Sequence, residues 1–209
     1  MKKIVSILMG SLILGIYFWN VVWSNHLLQP TIASKVLRFH VLANSDSVED
    51  QSVKEKVRDA VGTYVKPFLE DVDSLEESKE VIAELLEEIV TISEETLRFY
   101  GYEYAVTAEI ETCEFPKKTY GDYTFPEGMY EALRIVIGEG RGQNWWCVLY
   151  PNMCFKGTVY EVVEDEAGEE LREVLNPWEY AEVFDSGKVE LRLKFLEWFD
   201  FTAYFGVKK

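Results

Sequence analysis

The chain has 209 residues, 48% of them hydrophobic and 14% aromatic, with 37 acidic residues against 21 basic ones and a formal net charge of -16. This size and hydrophobic content indicate one domain with a core of ordinary size and exclude a largely disordered protein. The acidic surface repels nucleic acid and anionic lipid headgroups, and no basic stripe opposes this, so a nucleic-acid-binding protein is excluded.

The N-terminus predicts export across a membrane. Two lysines precede a run of apolar and small residues from Ile4 to Trp23, which only the polar Asn20 interrupts. A basic start before such a run is typical of an export signal, and about 20 residues are just enough to span a bilayer. Residues 1–33 are therefore predicted to be a signal peptide, cleaved near residues 31–33, or an uncleaved membrane anchor.

A strand and a helix open the predicted domain. Apolar and polar residues alternate over 36–42, which is typical of a strand. Asp46 or Ser47 can then cap a helix, whose apolar residues recur at helical spacing as far as Phe68. Pro67 lies in its last turn and is expected to end or kink it.

A second long helix is predicted from about Ser74 to Tyr100, with Gly101 as its C-cap. One face is apolar, and glutamates occupy much of the rest. This glutamate run indicates a solvated face rather than a metal site.

Three strands follow the helices. Residues 104–114 alternate as in a half-buried strand. Residues 129–137 and 144–150 are predicted to form a hairpin across the glycine-rich loop 138–143. This loop is not a phosphate cradle, because a strand rather than a helix follows it and Glu139 would repel phosphate.

The element order predicts an α+β fold with a mainly antiparallel sheet and two long helices packed on one face. We expect the signalling domain to cover residues 34–157 and an acidic C-terminal extension to cover 158–209. Within that extension, residues 188–204 begin like a strand and continue with helical spacing.

His40 is the only histidine in the predicted folded part, since His26 lies at the edge of the leader. A zinc site built on histidine pairs is thereby excluded, and we predict no metal and no cofactor. A catalytic pair of His40 with Cys147 or Cys154 remains formally possible, as does a serine triad at residues 40–46. A structural or partner-contact role for His40 is favoured over both.

Cysteines 147 and 154 flank a short loop that a disulfide can close, which is chemically permitted outside the cytoplasm. Cys113 would then be left unpaired. The alternative is three buried free thiols, since the spacing alone proves little.

Trp145 and Trp146 are adjacent in the last predicted strand, so their rings point to opposite faces. One ring is expected to fill the core. The other is either covered by a helix or loop, or exposed as a binding anchor.

Two stretches of the chain resemble the signatures of the stage II sporulation protein R family of spore-forming bacteria. The first is His40-Val41-Leu42-Ala43-Asn44-Ser45-Asp46-Ser47, with Asp50-Gln51, Lys54 and Val57-Arg58-Asp59-Ala60-Val61. The second is Gly128-Met129-Tyr130-Glu131-Ala132-Leu133-Arg134-Ile135-Val136-Ile137-Gly138-Glu139-Gly140, with Gly142 and Asn144-Trp145-Trp146-Cys147-Val148-Leu149-Tyr150-Pro151-Asn152-Met153-Cys154-Phe155. The resemblance spans about residues 36–155. The apolar leader before it is of the kind that the family carries.

The resemblance implies an exported signalling protein with no catalytic residues of its own. Such a protein is expected to leave the forespore for the space between the two membranes, or to stay anchored to the membrane facing that space. There it would activate a membrane-embedded aspartic protease from its extracytoplasmic side. The protease in turn would process the pro-sigma-E precursor during sporulation.

We expect the partner-binding surface where the first signature meets the glycine and tryptophan segment. Its candidate residues are His40, Asn44, Asp46, Arg58, Glu131, Arg134, Asn144 and Trp146. Either arginine can instead pair inside the fold with Asp46 or Glu131. The rival functions are an exported hydrolase of cell-wall material, with Glu131 and Glu139 as paired carboxylates, and a structural wall protein without a receptor.

Overall fold

A computed structural model describes residues 9–16, 28–151, 153 and 165–185. The helices are α1 at residues 9–16, α2 Gln29–Ala33, α3 Val48–Leu69, α4 Leu75–Glu84, α5 Leu86–Phe99, α6 Asp165–Val174 and α7 Pro177–Asp185. The strands are β1 Leu37–Leu42, β2 Val106–Phe115, β3 Lys118–Tyr120, β4 Tyr123–Phe125, β5 Gly128–Ile137 and β6 Asn144–Tyr150. The α+β class is confirmed.

The main sheet is mixed rather than mainly antiparallel. Its four strands lie in the order β2-β5-β1-β6, with β1 parallel to β5 and the other two pairings antiparallel. The predicted hairpin of β5 and β6 is wrong, because β1 lies between these strands. The glycine-rich loop therefore crosses the end of β1, which makes β1 a central and fully buried strand.

Helices α3, α4 and α5 cover one face of the sheet. Ser47 caps α3, since its hydroxyl accepts from the backbone N–H of Asp50 at 3.1 Å, and Pro67 is accommodated in the last turn. The core on this side unites the apolar stripe of α3 with inward side chains of all four strands. Its fully buried members include Leu37, Phe39, Val41, Val57, Val65, Ile82, Ile89, Leu97, Leu133 and Ile135.

The single long helix predicted after residue 74 is two helices, α4 and α5, so three helices rather than two cover this face. They meet at Leu85, whose backbone N–H is shared between the carbonyls of Ile82 at 3.1 Å and Val81 at 3.3 Å. A tightened turn of this kind redirects the chain without an obvious sequence signal, because Leu85 is itself a good helix former. Both Ile82 and Ile89 remain completely buried on either side of it.

The opposite face of the sheet carries a second core, so helices are not confined to one face. Here α2, the β3–β4 hairpin, α6 and α7 enclose aromatic and aliphatic side chains of the sheet. Ile32 of α2 is fully buried, and the Nε2 amide of Gln29 donates to the carbonyl of Met129 at 2.9 Å. Residues 29–33, which the sequence assigned to the leader, thus pack against β5.

Much of the predicted leader lies outside the described residues, namely 1–8 and 17–27. In the remaining part of the chain that is described, no helix combines the length and apolar character that crossing a membrane requires. The predicted terminal strand and helix at 188–204 also lie outside the described residues.

Candidate functional site

The two signatures meet where the glycine-rich loop crosses the end of β1. The backbone N–H of Gly142 donates to the carbonyl of Ala43 at 2.9 Å, and that of Arg141 donates to the carbonyl of Asn44 at 3.2 Å. A Cβ atom at Gly142 would lie 2.2 Å from the backbone oxygen of Ser45. Only glycine therefore permits this approach of the two backbones.

Side chains of the first signature complete the crossing. The Oδ1 of Asn44 accepts from the backbone N–H of Glu139 at 3.0 Å, and the Oδ1 of Asp46 accepts from that of Gln143 at 2.7 Å. We call residues 44–50 together with 138–144 the signature end. It is the place where the candidate residues Asn44, Asp46 and Asn144 come together.

Asp50 lies beneath this crossing and is 4% exposed. Its carboxylate accepts from the Nδ2 of Asn44 at 2.9 Å, the hydroxyl of Ser45 at 2.5 Å and the hydroxyl of Tyr104 at 3.1 Å. Burial on its own raises the pKa of Asp50, but the hydrogen bonds, that of Ser45 foremost, outweigh it and lower the pKa below its usual value. A buried carboxylate that accepts from three side-chain donors holds the signature end rigidly from below.

The outer surface of the signature end is exposed and chemically mixed. Val48 is 81% exposed, although it begins a helix whose other valines are buried. Arg141 and Glu139 form an ion pair of 3.2 Å and are both well exposed. Val48 and this ion pair are thus the prominent exposed side chains of the signature end.

His40 lies behind the signature end, on the second face of the sheet, and is 3% exposed. Its ring stacks on Trp146 with centroids 4.9 Å apart, and its Nε2 lies 3.4 Å from the Sγ of Cys113. Burial, with further contributions from Arg134 and Arg38, lowers the pKa of His40 to about 4. His40 is therefore neutral at physiological pH and does not act as a directly exposed contact.

The Cys113–His40 contact is not an activated nucleophile. Burial, reinforced by Glu111, raises the pKa of the Cys113 thiol to about 11, and that of His40 is lowered. A thiolate–imidazolium pair needs the opposite shifts, so neither group ionises to serve the other. Cys147, the partner considered from the sequence, neighbours Phe39 on the helix-covered face and cannot reach His40 through the sheet.

The two candidate arginines are both engaged inside the fold. Arg134 forms ion pairs with Glu109 at 3.3 Å and Glu111 at 3.1 Å across the β2–β5 pairing. Arg58 is paired with Asp59 at 2.6 Å and lies over the ring of Trp145 at 5.0 Å. Internal pairing of both arginines was one of the two alternatives, although the acids involved are not those that the sequence suggested.

Glu131 is separated from the other candidates. It lies near the start of β5 and pairs with Lys79 of α4 at 3.0 Å. It lies six positions before Ile137 in β5, about 20 Å at the rise of an extended strand. The signature end therefore does not include Glu131.

Comparison with known proteins decides the family. The family model for stage II sporulation protein R matches residues 33–160, which include the whole signature end. The chain belongs to the stage II sporulation protein R family. A protein named stage II sporulation protein R from Bacillus subtilis (strain 168) is 41% identical over 128 residues, which are 61% of this chain and 57% of that relative. No solved structure matches the chain.

The chain spans little more than half of the relative's length. The segment that the family model matches contains β1 to β6 and α3 to α5, so it includes both signatures and the helices that support them. Helices α6 and α7 lie beyond it. Membership supports a role in sporulation.

The sequence did not predict the roles of three residues that stand out in the structure, namely Arg38, Cys113 and Val48. Arg38 had one signal, since it is a charged residue on the same face of the predicted strand as His40. Cys113 had none, because its proximity to His40 depends on strand order. Among the described residues, no group of three histidine, cysteine or acidic side chains is placed to hold a metal ion.

Proposed function

We propose that this chain is an exported signalling protein that activates a membrane-embedded aspartic protease, which then processes the pro-sigma-E precursor during sporulation. The proposal rests on membership in the stage II sporulation protein R family and on the construction of the signature end. The activating surface consists of the exposed side chains around Val48 and Arg141.

The observation that carries the proposal is how the signature residues are used. Asn44 and the buried Asp50 are occupied by several hydrogen bonds that hold the signature end together. Asp46 adds one further bond from its Oδ1 to the loop after β5. Residues with that role do not act on a substrate, because catalytic groups need a free face toward the reacting atoms. They instead hold an exposed surface in one conformation, which favours binding by lowering the entropy lost on association.

The rival hydrolase is disfavoured by the position of its carboxylates. Glu131 and Glu139 lie near opposite ends of β5, about 20 Å or more apart by strand rise. Paired carboxylates that cleave glycosidic bonds are about 5–10 Å apart. Each is also held in an ion pair, with Lys79 and Arg141 respectively.

Activation by binding requires a difference in affinity between two receptor states. The signature end would bind the active state of the protease more tightly than the inactive state and so raise the active population. A rigid ligand suits this role, because a surface that adapted equally to both receptor states would not change their relative populations. The acidic character of the chain adds a preference for basic loops on the receptor.

Export is part of the proposal. The apolar leader would carry the domain into the space between the forespore and mother-cell membranes, either released or anchored there. Because Gln29 and Ile32 pack in the second core, any cleavage that leaves this core intact occurs before residue 29.

The test replaces exposed residues of the signature end in sporulating cells. Val48→Asp and Arg141→Glu are expected to abolish conversion of the pro-sigma-E precursor, measured by immunoblot, while the exported protein accumulates normally. An aspartate at the first position of α3 suits the helix dipole, so Val48→Asp should fold. The matched control is Met129→Asp, since Met129 is 52% exposed at the opposite end of β5.

Two results would contradict the proposal. One is normal precursor conversion in the double variant with wild-type protein levels. The other is hydrolysis of purified cell-wall fragments by the protein that disappears in Glu131→Ala, which would favour the hydrolase.

A further inference from the structure

Arg38 is a completely buried cation on the second face of the sheet. Its Nε donates to the carbonyl of Cys147 at 2.9 Å, and one terminal nitrogen donates to the hydroxyl of Tyr120 at 3.0 Å. The other terminal nitrogen, Nη1, has no hydrogen-bond partner. None of the ion pairs formed by the described residues includes Arg38, so its charge is not balanced by a carboxylate there.

Aromatic rings surround the guanidinium of Arg38. Its central carbon lies 4.5 Å from the ring centroid of Phe115, 4.9 Å from that of Tyr130 and 5.1 Å from that of Phe125. Cation–π contacts of this kind offset part of the lost hydration, but they act on the faces of the guanidinium. They leave the in-plane N–H groups of Nη1 unsatisfied, and a buried unsatisfied donor is strongly unfavourable.

His40 presents a second unpartnered donor on the same strand face. Its Nε2 lies 3.4 Å from the Sγ of Cys113, and Nε2 is the acceptor when the thiol donates in that contact. The proton of the neutral ring then resides on Nδ1, and this buried atom also has no hydrogen-bond partner. Nη1 of Arg38 and Nδ1 of His40 are thus two buried N–H donors on one strand face that have no acceptor.

The two unpartnered donors belong to side chains that lie beside one aromatic ring. Residues 38 and 40 are two positions apart on one strand face, about 6.7 Å along the strand. Both side chains contact Phe115, whose ring centroid is 5.1 Å from that of His40. A single acceptor held by both donors at about 3.2 Å requires the two nitrogens to lie within about 6.4 Å of each other.

We propose that the second core binds one small monovalent anion, of the size of chloride, held between Nη1 of Arg38 and Nδ1 of His40. The anion accepts N–H donors from both sides and balances the buried guanidinium charge. This site is separate from the signature end and does not depend on the proposed protease partner.

Bromide is the probe, because it replaces chloride and scatters anomalously. Crystals of the full chain grown in sodium bromide are expected to show one anomalous peak within about 3.5 Å of both Nη1 of Arg38 and Nδ1 of His40. A water molecule at this position without anomalous signal, or an empty position, overturns the proposal.

Stability in solution gives an independent measurement. For the full chain in detergent, at constant ionic strength set with bulky gluconate, the melting temperature should rise by about 3–6 °C for each tenfold increase in bromide above its dissociation constant. Arg38→Met, which fills the same space without charge, should lose this dependence. Arg98→Met is the control, since Arg98 is 57% exposed and should retain the wild-type response. Equal responses of wild type and Arg38→Met contradict the proposal.

Discussion

Asn44 joins two parts of the protein through the two atoms of its amide: Nδ2 donates to Oδ2 of Asp50 at 2.9 Å, and Oδ1 accepts from the backbone N–H of Glu139 at 3.0 Å. One bond fixes the turn before α3, and the other fixes the loop after β5. An asparagine is required here because it offers a donor and an acceptor at the same distance from the backbone.

Asn44→Asp should therefore be destabilising, although it preserves shape. The new carboxylate cannot donate to Asp50 and would face it with like charge, so we expect a loss of about 1–3 kcal/mol in the free energy of unfolding at pH 7. Urea denaturation measures it. Asn176→Asp is the matched control, because Asn176 caps α7 only as an acceptor, from the N–H groups of Trp178 and Glu179. Equal stability of the two variants would contradict the role of the donor.

The crossing at Gly142 depends on the absence of a side chain rather than on backbone strain. In Gly142→Ala, the added methyl would lie 2.2 Å from the backbone oxygen of Ser45, which cannot move away without breaking the crossing. We expect a loss of about 3 kcal/mol or more. Gly101→Ala separates the two effects: Gly101 has a φ of 86° and open space around it, so it should lose only about 1–2 kcal/mol. Urea denaturation midpoints compare the two variants. A smaller loss of stability in Gly142→Ala than in Gly101→Ala would contradict the steric role of Gly142.

Periodicity predicted most of the elements but not how they pair. Helix α3, its Ser47 cap and strands β2, β5 and β6 all follow from local spacing and turn chemistry. The insertion of β1 between β5 and β6 does not, because a six-residue glycine loop suits either a hairpin or a crossing over a third strand. The choice depends on contacts nearly 100 residues apart in sequence, such as that of His40 with Arg134.

The candidate site, too, could be predicted only in part, because it also depends on contacts between distant parts of the chain. The signatures identified Asn44, Asp46 and Asn144, and these do come together. Alternation also placed Arg38 and His40 on one face of β1. No local sequence pattern indicated that α2 and the β3–β4 hairpin would cover this face. The burial of Arg38 and His40 could therefore not be predicted from the sequence.

Burial of His40 predicts a specific sensitivity to acid. Its pKa in the folded protein is about 4, against 6.5 when unfolded, so only the unfolded state takes up the proton between these values. Stability is therefore complete above pH 6.5 and decreases as the pH falls toward 4, by about 3 kcal/mol in total. His40→Phe should flatten this part of the stability curve. The checks are urea denaturation across this range and an NMR titration of the ring, both in halide-free buffer, in which a midpoint near 6.5 would contradict the burial effect.

The cysteines give a prediction about the oxidised protein. Cys113 is a free thiol in the structure, whereas Cys154 lies outside the described residues, so the disulfide between Cys147 and Cys154 stays a prediction. Closing so short a loop restricts the unfolded chain and should stabilise the protein by roughly 2–3 kcal/mol. Thiol titration of the denatured, unreduced protein should then detect one thiol, and reduction should raise the number to the full three.

Reductant provides the matched comparison for this disulfide. It should lower the unfolding free energy of the wild type to that of Cys154→Ser and leave Cys154→Ser itself unchanged. Cys113→Ser should keep the full response to reductant, because its thiol contacts His40 rather than another cysteine. Three titratable thiols before reduction would exclude the bond, and the domain would then rely on its two cores alone.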